Sequence, residues 1–381
     1  MLEDAMPYRF DSERAALVEI TPFAVLDDIT ASRARAMELI LSATREIDLT
    51  GVNITDTSVP GPPDAPDVAV RIYTPLVGTR PTPAVLHLRG GGFVAGALGT
   101  DHRANIELSR ALGAVVISVD YRLAPENPYP AAIEDCYAAL LWTVDRAERL
   151  GVDPGRIAVH GVNSGAGLAA ALTLLTRDRN GPALCFQCLC RPELDDRRAG
   201  AAPAPVDVTG QAPSARWDAY LGADLAGTAD VPAYAAPARA TDLRGLPPAY
   251  VSVLEGDRRR DDGVAYAAAL RAAGVPVRLR HQPAAATTTS GPASMPTSAA
   301  ATATATAATA ATAGGSLAAA AGRCTSGQAA RRRHRGSVPG HSAVVNTGTT
   351  ATTGTAHGTP RAGRERDDKI TALRAAFGMR F

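Results

Sequence analysis

The sequence predicts an α/β fold: a central, mostly parallel sheet with helices on both faces. Short apolar runs of strand length recur through the first 283 residues, stretches with helical spacing separate them, and glycines punctuate the boundaries. Strands that alternate with helices imply parallel pairing, because each connection must carry the chain back along the sheet before the next strand begins.

The elements follow in chain order. Residues 10 to 48 carry spaced apolar positions, among them Leu17, Ile20, Phe23, Met37 and Ile40, which suit amphipathic helices ahead of the sheet; residues 1–50 are therefore expected to form a helical lid. Strand candidates lie at 68 to 73, 83 to 88, 114 to 119, 156 to 160 and 248 to 253, and a last one in VPVRLRHQP. Helix-like stretches lie at 102 to 112, 130 to 150, 166 to 178 and 261 to 273, with Gly151 and Gly274 as stop signals. Together these make residues 51–283 the main α/β domain.

Composition changes sharply after Pro283. Residues 284–363 are dominated by Ala, Thr, Gly, Ser, Pro and Arg, and they bury too little apolar surface to offset their ordering entropy, so disorder is expected. Helical spacing returns through Ile370, Leu373, Ala376 and Phe377, which makes residues 364–381 a C-terminal helix able to dock on the domain. The tract's residues all have GC-rich codon options, consistent with a reading frame lost and regained; independent resequencing of the gene checks this. In that reading the basic run Arg331-Arg332-Arg333-His334-Arg335 is a solvated accident rather than a nucleic-acid contact.

A chain of 381 residues with 46% apolar content can build a sizeable core. Its formal net charge of +1 gives no whole-molecule attraction to nucleic acid or to an anionic membrane. The sequence shows no secretory leader pattern and no uncharged apolar run of about 18 residues, so a cytoplasmic protein without a membrane span is expected. Five cysteines, an odd number in a long chain, argue for reduced thiols. Cys185, Cys188 and Cys190 fall short of the four ligands of a structural zinc and read instead as buried strand residues; no metal or cofactor is expected. Tyr137 and Trp142 read as packing residues.

Several motifs stand in a telling order. Gly90-Gly91-Gly92-Phe93 follows a strand, and Tyr121-Arg122-Leu123-Ala124-Pro125-Glu126 leads to Pro128-Tyr129-Pro130 and Asp135. Farther on come Gly161-Val162-Asn163-Ser164-Gly165, Pro192-Glu193-Leu194-Asp195-Asp196-Arg197, Leu246-Pro247-Pro248-Ala249-Tyr250 and Glu255-Gly256-Asp257. In these motifs most of residues 50 to 283 resembles the hormone-sensitive-lipase-like carboxylesterases of the α/β hydrolases. The resemblance implies an α/β-hydrolase fold, hydrolysis of carboxylic esters through an acyl-enzyme, and a small apolar ester or other small molecule as ligand.

It also implies a place for each part of the site. A glycine run can aim consecutive N–H groups at a carbonyl oxygen, which makes Gly90 and Gly91 the oxyanion donors. Arg89 stands where the family has a histidine, a longer and permanently charged group. In the family's Gly-x-Ser-x-Gly turn, spacing from Leu168 puts the nucleophile position on Asn163, with the N–H of Ser164 completing the oxyanion hole. An amide cannot supply an activated hydroxyl. Ser164 remains the second choice of nucleophile. Asp257 is the candidate acid, although an aspartate there also suits a helix N-cap. Arg258 and Arg259 replace the family's Pro-Leu after it. The family's histidine would fall near Thr287, inside the Ala/Thr tract, and His281 reads as a strand residue. Losing the nucleophile or the base of such a triad costs on the order of 10⁶ in turnover. The expected function is accordingly that of a catalytically impaired esterase, the alternative being a non-catalytic protein that binds a small molecule or a partner.

Overall fold

A computed structural model describes residues 33–34, 47–78, 80–198, 213–222, 224–257, 259–283 and 360–379. Most of the expected lid, nearly all of the low-complexity tract, Thr287 and the basic run lie outside these residues.

Eight strands of the described chain form one sheet: β1 (Val52–Val59), β2 (Val68–Pro75), β3 (Thr82–Leu88), β4 (Val115–Val119), β5 (Val152–Val162), β6 (Phe186–Cys190), β7 (Ala249–Leu254) and β8 (Val277–Gln282). Their spatial order is β1-β2-β4-β3-β5-β6-β7-β8. The pairs β1–β2 and β2–β4 are antiparallel, and every pair from β4 to β8 is parallel. β3 and β4 are buried along their whole lengths, which is why they read as unbroken apolar runs. The edge strand β1 is largely exposed and its pattern V-N-I-T-D-T-S-V is mostly polar, so it carries no apolar strand signal.

The helices among the described residues are α1 (His102–Leu112), α2 (Ala131–Asp145), α3 (Ala147–Leu150), α4 (Ser164–Asp178), α5 (Pro213–Leu221), α6 (Arg260–Ala272) and α7 (Pro360–Ala376). The stretch expected as one helix at 130 to 150 is divided at Arg146. α5 carried no sequence expectation, and α7 begins earlier than the helix expected from residue 364.

Two apolar layers sandwich the sheet. One packs Leu86, Leu88, Ile117 and Val159 against Leu140 of α2, Leu172 of α4 and Leu270 of α6. The other packs Tyr73, Val85, Val116 and Cys188 against Ile106 and Leu108 of α1, Leu373 of α7 and Phe377 just after it. Each fully buried side chain of this size contributes about 1.5–3 kcal/mol. Tyr137 and Trp142 are half-buried against the first layer, in the packing role expected of them.

Candidate active site

The chain turns from β5 into α4 at Asn163, with φ 53° and ψ −118°. Such a conformation costs about 1–3 kcal/mol and persists only where its surroundings fix it. Here backbone bonds fix it. Asn163 N donates to Cys190 O at 2.9 Å, while Asn163 O accepts from Ala166 N at 3.0 Å and from Gly167 N and Glu193 N at 3.1 Å. Asparagine tolerates a positive φ better than most residues.

Ser164 opens α4 and is excluded from solvent. Its hydroxyl lies beside that of Tyr121, whose own proton goes to Arg89 O at 2.7 Å. Burial pushes the Tyr121 phenol up to about 12, so it stays neutral.

The glycine loop packs directly on this bend. A Cβ built on Gly165 would lie 2.1 Å from Leu88 O and 2.3 Å from Arg89 O, so only glycine lets the start of α4 approach the end of β3 so closely. Gly91 sits at φ 140°, and its carbonyl accepts from Val94 N at 3.2 Å and Ala95 N at 2.9 Å, closing a tight turn. A Cβ on Gly90 would be 3.5 Å from Asn163 Nδ2, which measures how near the loop comes to the side chain at the bend.

Arg89 runs inward under this loop. Its Nη2 donates to Asp120 Oδ1 at 2.9 Å and Tyr121 O at 3.1 Å, and its guanidinium lies 4.1 Å from the Tyr121 ring centroid. Nε and Nη1 find no partner among the described residues. The Arg89 charge is thus sheltered beneath the loop. A cavity of about 360 Å³ opens beside it, lined by Arg33, Asp120, Arg122 and Glu126 among others. These walls carry paired charges, since Arg33 and Arg122 bind Glu126 and Asp135.

Sequence reasoning missed the support behind the loop. On α5, Arg216 lies against Gly92 and forms a buried pair with Glu193 at 3.4 Å. Phe93 stacks on Tyr220 at 4.0 Å between centroids and meets Trp217 at 5.2 Å. The spacing of Trp217, Tyr220 and Leu221 is the helical signal that could have found this element.

Asp257 follows β7, as expected of the acid, but its carboxylate is engaged. Arg259 donates to it from N at 2.9 Å, Nε at 3.0 Å and Nη2 at 2.8 Å. Burial alone would raise the carboxyl; the Arg259 charge and hydrogen bonds outweigh it and hold the pKa at about 2. His281 is an exposed residue of β8. The position expected for the histidine, Thr287, lies outside the described residues.

The family model for the alpha/beta hydrolase fold matches residues 85–286. Esterase LipI of Mycobacterium tuberculosis is 39% identical over 278 residues, covering 70% of this chain and 83% of that protein. The chain belongs to the hormone-sensitive-lipase-like α/β hydrolases. Carboxylesterase NlhH of M. tuberculosis is 39% identical over 276 residues, with 68% and 82% of the two chains covered. Among solved structures, Bacterial Heroin Esterase superposes with a TM-score of 0.66 at 39% identity, over 72% of this chain and 88% of that one. An esterase from the archaeon Pyrobaculum calidifontis gives 0.62 at 32% identity, over 73% and 90%. This hydrolase has, among its described residues, no helix long and apolar enough to cross a membrane.

Proposed function

We propose that this chain is a carboxylic-ester hydrolase by descent whose ester turnover is small or absent. Asn163 takes the nucleophile position, Gly90, Gly91 and the Ser164 N–H take the oxyanion positions, Asp257 takes that of the acid, and Thr287 marks the approximate place of the missing histidine. Asn163 at φ 53° carries this reading, because a strained strand-to-helix bend is where the family's chemistry needs an activatable hydroxyl. Ser164 does not replace it: its side chain is shut off from solvent beside Tyr121. Without nucleophile and base, about 10³ to 10⁴ of acceleration over water is the ceiling that an oxyanion hole and binding supply.

Fluorophosphonate labelling of sequence-verified protein tests the proposal. The expected result is no labelling of the wild type. Strong labelling that disappears in Ser164→Ala would make Ser164 the nucleophile and overturn it.

A second reading, binding without turnover, is favoured by the amide of Asn163 beside the glycine loop. An N–H donor there holds a carbonyl or carboxylate as well as an oxyanion loop does. The ligand class is a small apolar ester or related acyl compound. Thermal-shift screening with short acyl amides and carboxylates tests it; stabilisation by none of them, with an unchanged result in Asn163→Ala, counts against binding at this position.

A further inference from the structure

Strand register gathers a second set of reactive side chains, on the face of the sheet covered by α1 and α7. Paired residues of adjacent strands share a face, and pairing aligns His87 on β3 with His160 on β5, His160 with Cys188 on β6, and Cys188 with Tyr250 on β7. Cys190, two residues beyond Cys188, points the same way. Each of these five residues is at most 2% exposed. Strands buried on both faces ordinarily present Val, Ile and Leu, so a polar row there requires a physical account.

We propose that His160, Cys188 and Cys190 form a binding site for a thiophilic d¹⁰ cation, Zn²⁺ or Cu⁺. Their ligand atoms lie within 4.8 Å of one another. His160 Nε2 is 3.7 Å from Cys190 Sγ. Bonds of about 2.1 Å to nitrogen and 2.3 Å to sulfur, meeting at a tetrahedral centre, hold those atoms roughly 3.6 Å apart. That pair is already spaced for a shared metal.

The rest of the row orients the imidazole. His87 Nε2 is 2.9 Å from Asp101 Oδ2, and His87 Nδ1 is 2.8 Å from His160 Nδ1. An ionised Asp101 only accepts, so a neutral His87 carries its proton on Nε2 and offers a lone pair at Nδ1. His160 therefore donates from Nδ1, leaving Nε2 bare and facing the thiols. A carboxylate behind a histidine in this way fixes the tautomer of a metal-binding imidazole and raises its basicity. Burial would raise the Asp101 carboxyl, yet its bond to His87 holds it below the usual range. Tyr250, paired with Cys188 in the same row, is buried, and its hydroxyl has no partner among the described residues.

Chain spacing alone offered three cysteines and hence no metal. The register replaces Cys185, which is only half-buried and outside the cluster, with His160. Soft thiolates with one imidazole select Zn²⁺ or Cu⁺ over hard cations.

The test uses full-length, sequence-verified protein purified without a metal-affinity step. Its metal content is read by mass spectrometry, and metal-free protein is titrated anaerobically with Zn²⁺ and, separately, with Cu⁺ against a competing chelator. One equivalent of either metal is expected, and Co²⁺ in its place should give thiolate-to-metal charge-transfer absorption, a readout that needs no variant. Cys188→Ser and Cys190→Ser should abolish that absorption, His87→Gln should weaken binding about 10- to 100-fold, and Cys185→Ser should change nothing. The proposal fails if wild-type protein binds neither metal, if Co²⁺ gives no thiolate band, or if Cys185→Ser removes the metal as fully as Cys190→Ser does.

Discussion

At the bend between β5 and α4 the geometry is held by backbone: one N–H of Asn163 and three converging on its carbonyl fix the turn whatever side chain it carries. At the end of β7 the geometry is held by side chains, with Arg259 gripping both oxygens of Asp257. The two ends of the proposed site accordingly differ in kind: the bend has a fixed backbone and an amide side chain, while the carboxylate at the end of β7 is held by a neighbouring guanidinium. A turn fixed by main-chain bonds tolerates a new side chain, whereas a carboxylate is only as available as its neighbours leave it.

The largest effect should come from disturbing the backbone-held end. Gly165→Ala drives a Cβ into two carbonyl oxygens that cannot move without breaking the end of β3, so it should cost about 3 kcal/mol, the upper end of ordinary overpacking. Urea unfolding followed by circular dichroism measures it. A loss within 1 kcal/mol would show that the loop and the bend yield independently, and the contrast between the two ends would fall.

Next in size is the side-chain-held end. Asp257 has a pKa of about 2 in the folded chain against an ordinary 3.8. The folded value is the lower, so this group's contribution is fully present above pH 4 and is lost as pH falls through 2; it amounts to about 2 kcal/mol. In Arg259→Ala the side-chain charge and its two hydrogen bonds are lost while the backbone N–H of residue 259 and the Arg191 charge remain, so the carboxyl rises from about 2 and the acid-side slope of stability flattens. Unfolding free energies at pH 3 and pH 5, with carboxyl NMR of Asp257, measure both quantities. An unchanged Asp257 titration in the variant would mean that Arg259 does not hold the acid.

Much of this was legible along the chain, and the reasons for the rest are physical. β3 and β4 announced themselves because a strand covered on both faces has no polar side to show, and α1 falls at 102 to 112 as its spacing predicts. β1 was silent because an exposed antiparallel edge needs few large apolar residues. At the site, motif spacing sufficed to put Asn163 at the bend, since neighbours in sequence build a turn. It could not reveal that Arg259 would fold back on Asp257, that Arg216 would brace Gly92 from α5, or that His160 would meet Cys188 and Cys190. Those depend on rotamers and on register between distant strands, and neither is written in local pattern.

The smallest expected effect is also the most pointed. Placing a hydroxyl at the bend with Asn163→Ser leaves its backbone as it is, so stability should move by less than about 1 kcal/mol, within the range of mild substitutions. Activity should move little too, because parts of a triad act as a unit: removing one costs nearly as much as removing all, and returning one recovers correspondingly little. Hydrolysis of a simple aryl acetate by Asn163→Ser should stay within about tenfold of the wild type, about 1.4 kcal/mol of barrier. A rise of several powers of ten would require a base at the bend. Since Asp257 is bound to Arg259 and His281 is exposed on β8, pairing Asn163→Ser with His334→Ala, His341→Ala or His357→Ala would test whether that base comes from outside the described residues.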